Sequence, residues 1–416
     1  MSLPGIDLND LDTFEAGIPH DQFARLRREA PVYRHPGAGD QEDFWCITRH
    51  ADLKAISKQP ERFSSETNGA VIRDPDPAAL PMLRQIMLNM DPPRHRTYRA
   101  IINKAFTPRR VQDLEARVDG LVEAIIDRVC EKGECDFVED LAAPLPMQVI
   151  CEMMGVPEED RRAIYELGNK MVGFDDPELN PDGTWSEPVE NQEMTGASAE
   201  MFLYAAKLKE RFLHSDEDNL ATALLRAEVD GQHLTDMEFN AFFLILAVAG
   251  NETTRTVTTN GMIALIRHPD QRARLLRDPG LLPTAIEEIL RYEPAVSNFR
   301  RTAMEDVEIR GTRIAEGDKV ILWYPAANRD ETVFDDPGTF DVGRQPNDHL
   351  SFGVGEHFCL GANLARMELR KIFAALLARL PDIELAAEPR RLRSNFVNGV
   401  KEMRVTFTPS APLGGR

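Results

Sequence analysis

Cysteine is scarce in this chain, with 5 in 416 residues. Cys46, Cys130, Cys135, Cys151 and Cys359 are odd in number and form no C-x-x-C pair. A disulfide framework, a zinc ribbon and a clustered iron–sulfur site are therefore not expected. Long apolar runs are missing too. The longest, AFFLILAVAG from Ala241 to Gly250, is too short to cross a bilayer and suits a buried helix. The N-terminal MSLPGIDLNDLDTF has neither a basic nor an apolar leader region. No membrane anchor is expected, and the expected location is cytoplasmic. Positive charge is in deficit, 49 Lys and Arg against 69 Asp and Glu, for a net charge of −20. Phosphate recognition needs a basic face, so no nucleic-acid partner is expected. There is no internal repeat, no low-complexity tract, no G-x-G-x-x-G fingerprint in the glycine-rich stretch and no P-loop ending.

Helical periodicity fills most of what is there. In RRVQDLEARVDGLVEAIIDRVCEK, apolar residues return every three or four positions, which predicts a helix from Arg109 to Lys132. A longer helix is predicted from about Thr235 to Arg267. Thr235 with Glu238 gives it a capping box, and His268-Pro269 ends it. It would run roughly 50 Å at 1.5 Å per residue. Strand signals are short: FWCITR, VEIRGTRI, DKVILWYP and VTFTP. The class is mainly α with a small β part. Two Pro-rich stretches, near Asp74 to Pro81 and Asp175 to Pro188, read as surface loops rather than domain linkers.

The one cysteine in an unusual setting is Cys359, in SFGVGEHFCLGANLAR, Ser351 to Arg366. Gly353 and Gly355 permit tight turns, and Gly361 permits a compact turn after the sulfur. Such a loop can aim backbone N–H groups at the sulfur and stabilise a thiolate. The helix ANLARMELRKIFAALLARL that follows adds its positive end. A lone, fixed thiolate suits the proximal side of haem iron. Two other readings compete: an inert buried cysteine, and a thiol nucleophile with His357 as its base.

FGVGEHFCLG matches F-x-x-G-x-x-x-C-x-G and resembles the haem loop of cytochrome P-450 monooxygenases at every fixed position. The resemblance implies haem b between the long central helix and the cysteine-loop helix, with Cys359 on the iron and Phe352 against the ring. Three further constellations follow in the family's order. AGNETT, Ala249 to Thr254, puts a polar patch inside an apolar helix, which is costly unless used. Thr253 can bond the carbonyl of Ala249, which tends to bend a helix and open a groove. The resemblance makes Glu252 and Thr253 the proton-delivering pair; the plain alternative is a capped kink. EEILR supplies Glu288 and Arg291, three apart on one helix face, and the resemblance adds Arg344 to a structural charge network. DPPRHRTYR places His95 and Arg99 four apart. The resemblance assigns them, with Arg301 and His357, to the haem propionates, and cations suit carboxylates. Solvated surface charge is the alternative, and Arg300 competes with Arg301.

The resemblance spans the chain, residues 1–416, as a single haem domain with no fused reductase. It looks closest to bacterial members that oxidise steroids, terpenoids and branched lipids. A ferredoxin and an NAD(P)H-dependent ferredoxin reductase are the implied electron donors. Arg94, Arg96, Arg99, Lys104, Arg109 and Arg110 form a basic stretch without acidic residues, and Arg366, Arg370 and Lys371 follow the cysteine loop. Together they suggest a docking face for an acidic partner. The expected substrate pocket draws on Ile245, Val248, Ala249 and Thr253, on Val296, Ser297 and Phe299, and on Phe396 and Val397. It is mostly apolar, so a hydrophobic substrate is expected. Insertion of one atom of dioxygen into a C–H bond is the expected reaction. A haem sensor or carrier without turnover and a peroxide-driven peroxygenase are the alternatives, against which the acid–alcohol pair Glu252–Thr253 argues.

Overall fold

A computed structural model describes residues 3–39, 41–180, 196–229 and 231–414. The helices that matter to the site are α1 (Arg94–Asn103), α2 (Glu115–Asp127), α3 (Pro144–Met154), α4 (Arg161–Val172), α5 (Gly196–Phe212), α6 (Asp236–Arg267), α7 (Leu282–Tyr292) and α8 (Ala362–Arg379). The architecture is mainly α, as expected. α6 is the axis. Thr235 caps it, with the reciprocal bonds to Glu238 both present. It runs unbroken through the polar patch and is packed by α3, α4, α5, α7 and α8. Phe239, Phe243, Met262 and Leu265 are fully buried along it. Each such side chain contributes about 2 kcal/mol of apolar transfer energy. None of the helices among the described residues is long and apolar enough to cross a membrane.

The main sheet contains β1 (Val32–His35), β2 (Phe44–Ile47), β3 (Phe63–Ser64), β4 (Asn298–Ala303) and β5 (Lys319–Trp323), in the spatial order β1-β2-β5-β4-β3. The all-buried KVILW of β5 is central, parallel to β2 and antiparallel to β4. That pairing sets Ile321 opposite Arg300 and Val320 opposite Arg301, so the two arginines point to opposite faces. VEIRGTRI folds as a hairpin of Val307–Ile309 and Thr312–Ile314, turned by Arg310 and Gly311, both at positive φ.

One expected helix is two. The stretch from Arg109 divides into Pro108–Asp113 and α2, because the Leu114 N–H bonds Val111 three residues back and tightens the chain there, and α2 stops at Asp127, short of the expected Lys132, with turns over 128–132. The two expected surface loops meet. Arg73 holds Asp175 at 3.0 Å and lies over the Phe174 ring at 5.4 Å. The rest of the second loop, 181–195, lies outside the described residues.

Candidate active site

The cysteine loop is built by backbone geometry. Cys359 N–H donates to the Phe352 carbonyl at 2.8 Å, closing the loop. Gly353 (φ 67°) and Gly355 (φ 79°) lie in the left-handed region. A Cβ on Gly355 would sit 2.4 Å from the Ser57 carbonyl oxygen, so only glycine fits there. The turn argument for Gly361 does not hold. Its φ of −84° is open to any residue, and a Cβ there meets nothing within 4 Å. What Gly361 contributes is its N–H, which bonds the sulfur of Cys359. The free thiol is nevertheless held above its ordinary value. Burial raises it and outweighs that N–H and the charges of Arg99 and Arg366. Such a thiol is a poor nucleophile by itself and becomes a strong donor only on a metal.

Basic side chains gather round this loop: Arg99 and Arg366 act on the sulfur, and Arg301 acts on His357. Arg301 is 5% exposed and, among the described residues, donates only to the carbonyl of Arg300. Arg99 donates to the Phe358 carbonyl at 2.6 Å. Burial lowers the pKa of both, and neither pairs with a carboxylate among the described residues. Arg300, on the opposite face of β4, is paired with Asp74 at 2.5 Å, a carboxylate it shares with Lys319 at 2.8 Å. The rings of His95 and His357 lie 4.3 Å apart. His95 Nδ1 faces Glu356 at 3.2 Å, which also takes Arg96. His357 Nε2 is buried without a partner. Burial first, then Arg301, His95 and Arg99, pushes His357 well down, so it is neutral. Two guanidiniums without an ion-pair partner among the described residues and an orphaned imidazole nitrogen near a cysteine leave the site short of negative charge, although Asp91 and Glu356 act on the guanidiniums from further off. A tetrapyrrole bearing two carboxylates fits that deficit.

Phe352 stacks under the Arg366 guanidinium at 4.5 Å and lies 6.5 Å from Phe358. Behind the loop, Arg291 grips Glu288 with two bonds of 2.7 and 2.8 Å, both fully buried. Arg344 joins Glu288 at 3.1 Å, and the N–H of Asp341 donates to it at 2.9 Å. Arg291 also donates to the carbonyls of Asn328, Pro337 and Thr339. These bonds tie α7 to the segment leading into the cysteine loop.

On α6, Thr253 donates to the Ala249 carbonyl at 2.8 Å, as the spacing predicts. Ala249 is exposed although it lies in the middle of a largely buried helix, so open space runs beside it. Glu252 is 3% exposed and turned toward Arg255. Val248, Phe396 and Val397 pack with Val172 and Leu392 in one apolar cluster. Val296 bridges to Val397, Ser297 N–H bonds Phe396, and the rings of Phe299 and Phe396 meet at 5.8 Å. Ile245 packs against the main core instead. Sequence reasoning missed Val172, Leu392 and Arg255. Arg255 stands three residues after Glu252, the helix spacing that pairs them, whereas its other partners, Tyr165 and Asn169, come from α4 and no local pattern points to those two.

The basic docking face is thinner than its sequence suggests. Arg366 is held by Glu287 at 2.7 Å, Lys371 by Asp119 at 3.0 Å and Arg96 by Glu356 at 3.0 Å. Lys104 and Arg109 remain exposed. Helix Pro108–Asp113 packs against α8, which puts both basic stretches on one side of the molecule.

A model of the cytochrome P450 family matches residues 10–279 and 280–396. A methyl-branched lipid omega-hydroxylase of Mycobacterium tuberculosis is 42% identical, covering 98% of this chain and 96% of its own. A steroid C26-monooxygenase of Rhodococcus jostii is 38% identical, covering 97% of this chain and 85% of its own. A Mycobacterium marinum cytochrome P450 solved in complex with pseudoionone superposes with a TM-score of 0.89 at 38% identity. It covers 98% of this chain and 99% of its own.

Proposed function

The chain belongs to the cytochrome P450 family, whose cofactor is haem b on a cysteine thiolate, and we propose that Cys359 is that thiolate in a monooxygenase of lipid-like substrates. The observation that carries the reading is the charge deficit at the cysteine loop. Arg99 and Arg301 have no carboxylate ion-pair partner among the described residues, which supports their holding the two propionates of haem. His95 and His357 complete the cradle, and Phe352 packs beneath.

When bound, haem supplies dioxygen activation and the oxidising power for a C–H bond. The protein's own part is positioning and proton handling. The Gly361 N–H stabilises charge on the Cys359 sulfur. The Thr253 hydroxyl, anchored on the Ala249 carbonyl, presents its oxygen to the open side of α6. There it can hold and pass a proton supplied by Glu252. Ala249, Val248, Val296, Ser297, Phe299, Phe396 and Val397 form the pocket wall, with Ile245 further back, and this wall keeps water from the reacting carbon. Glu288, Arg291 and Arg344 keep the loop in register. The substrate class is a steroid, a terpenoid or a branched lipid. The names of the relatives and the apolar lining both support it. Electrons come from an acidic ferredoxin and its NAD(P)H-dependent reductase, docked at Lys104, Arg109 and Arg110.

The test is the difference spectrum of the reduced protein with and without carbon monoxide. A strongly red-shifted Soret band, lost in Cys359→Ser, is expected. A band typical of histidine-ligated haem in the parent protein would overturn the proposal.

A further inference from the structure

Away from the cysteine loop, a cleft of about 420 Å³ opens where the ends of α6 and α7 meet the start of helix His20–Glu29 and the strand Arg390–Arg391. Arg267, Tyr292, His20, Arg329 and Arg391 line it. Among the described residues, the Arg329 guanidinium bonds only the Tyr292 carbonyl, at 3.4 Å, and lies over the Tyr292 ring at 4.3 Å. Its Nε is enclosed without a partner, as is Nδ1 of His20. The Arg391 side chain donates one bond, to Asn398 Oδ1 at 2.9 Å.

The carboxylates that share the cleft are engaged elsewhere. Glu388 pairs with Arg267 at 2.6 Å on the exposed rim. Glu15 reaches Lys401 at 3.9 Å. Glu293 accepts from Asn398 Nδ2 at 3.0 Å and acts on Arg329 without pairing with it. His20 registers which charge prevails. Burial first, then Arg329, Arg27, Arg291 and Arg391, pushes it well down, so it is neutral. The charges that act most on this ring are all arginines. Arg27 and Arg291 have partners, Glu331 at 2.9 Å and Glu288 at 2.7 Å. Arg329 and Arg391 have no ion-pair partner among the described residues.

We propose that this cleft binds a small oxyanion of the phosphate class, held by the guanidiniums of Arg329 and Arg391 and by the ring of His20. A guanidinium presents N–H donors in a fork that matches phosphate oxygens, and the imidazole adds a further N–H. The cleft is of small-ligand size, with room for the organic part of a phosphomonoester. A net charge of −20 repels anions from the surface at large, so retention has to come from these residues. None of them belongs to the proposed haem cradle or pocket wall, so the inference stands apart from the monooxygenase reading. The bound anion joins the N-terminal helix to the ends of α6 and α7.

The experiment titrates the haem-loaded protein by calorimetry with sodium phosphate, with glycerol 3-phosphate, and with sodium chloride at matched ionic strength. The parent is compared with Arg391→Gln and His20→Ala. Both residues are only half-buried, whereas Arg329 packs on Tyr292 and its loss could unfold the chain. Amide exchange over residues 15–29 is read alongside. Phosphate should bind the parent with a Kd of about 1 mM or below. Affinity should fall about ten-fold in Arg391→Gln and about three-fold in His20→Ala. Exchange over 15–29 should slow with phosphate in the parent and much less in the variants. Tighter binding of glycerol 3-phosphate would identify a phosphomonoester as the occupant, and equal binding a free phosphate. Absence of binding at about 10 mM phosphate, parental affinity in both variants, or the same response to chloride would overturn the proposal.

Discussion

Glu368, on α8 just behind the cysteine loop, is 2% exposed, and its Oε2 has no hydrogen-bond partner. Burial alone pushes its carboxyl up to about 8. In the unfolded chain it ionises near 4.5. Between those values the folded state holds a proton that the unfolded state has lost, so stability falls as pH rises through that window. Glu368→Gln should abolish this slope and raise stability at pH 8 by on the order of 3 kcal/mol relative to the parent. Denaturation at pH 5 and pH 8 checks it, and equal differences at the two values would refute it. Thr253 makes the second residue-scale case. Thr253→Ala removes the hydroxyl but leaves the helix intact, so NAD(P)H consumption should persist while peroxide replaces most of the product. Full coupling in this variant would remove Thr253 from proton delivery. Cys359, Glu252 and Thr253 were legible because each stands out locally: a cysteine between glycines, polar residues in an apolar helix. Glu368 was not. In sequence it is one more acidic position on an amphipathic helix, and only the packing around α8 makes it a buried acid.

Elements were legible where their ends carry chemistry. The capping box at Thr235 and the proline after His268 bracket α6 to within a residue. β5 announced itself by KVILW. The division at Leu114 was hidden, because apolar periodicity continues across it and only one backbone hydrogen bond changes. β4 was hidden for a different reason. NFRRTA has two adjacent arginines, and it is a strand because its partners are buried sheet and because Asp74 pairs with Arg300. The Glu288–Arg291 pair was visible as spacing, but its energetic weight comes from being fully buried with three carbonyls around the guanidinium. Removing one partner strands a charge. Arg291→Ala should destabilise by about 3–5 kcal/mol and impair haem retention, read by chemical denaturation and by the haem-to-protein absorbance ratio. An unaltered midpoint would show that α7 is not held this way.

At the scale of the whole molecule, a net charge of −20 sets the terms for any electron donor. An acidic ferredoxin is repelled from most of the surface and needs a local basic face to approach. Several cations expected there are already taken: Arg366 by Glu287, Lys371 by Asp119 and Glu115, Arg96 by Glu356. The exposed remainder is narrow, chiefly Lys104, Arg109 and Arg110. Among the described residues, Arg110 has only the exposed Asp218 as an ion-pair partner, at 3.9 Å. A narrow patch in a repulsive surround makes a sharp prediction. Arg109→Glu with Arg110→Glu should slow first-electron transfer from ferredoxin by about ten-fold at low salt, with the gap closing as ionic strength rises past the range where the Debye length falls to about 8 Å. Substrate-induced spin shift and reduction by dithionite should stay at parental levels, since neither residue reaches the proposed pocket or haem cradle. Stopped-flow reduction across a salt series decides it. Rates that match the parent at every salt concentration would move the electron donor to another face, and the paired cations around Glu287 and Glu356 would then be purely structural.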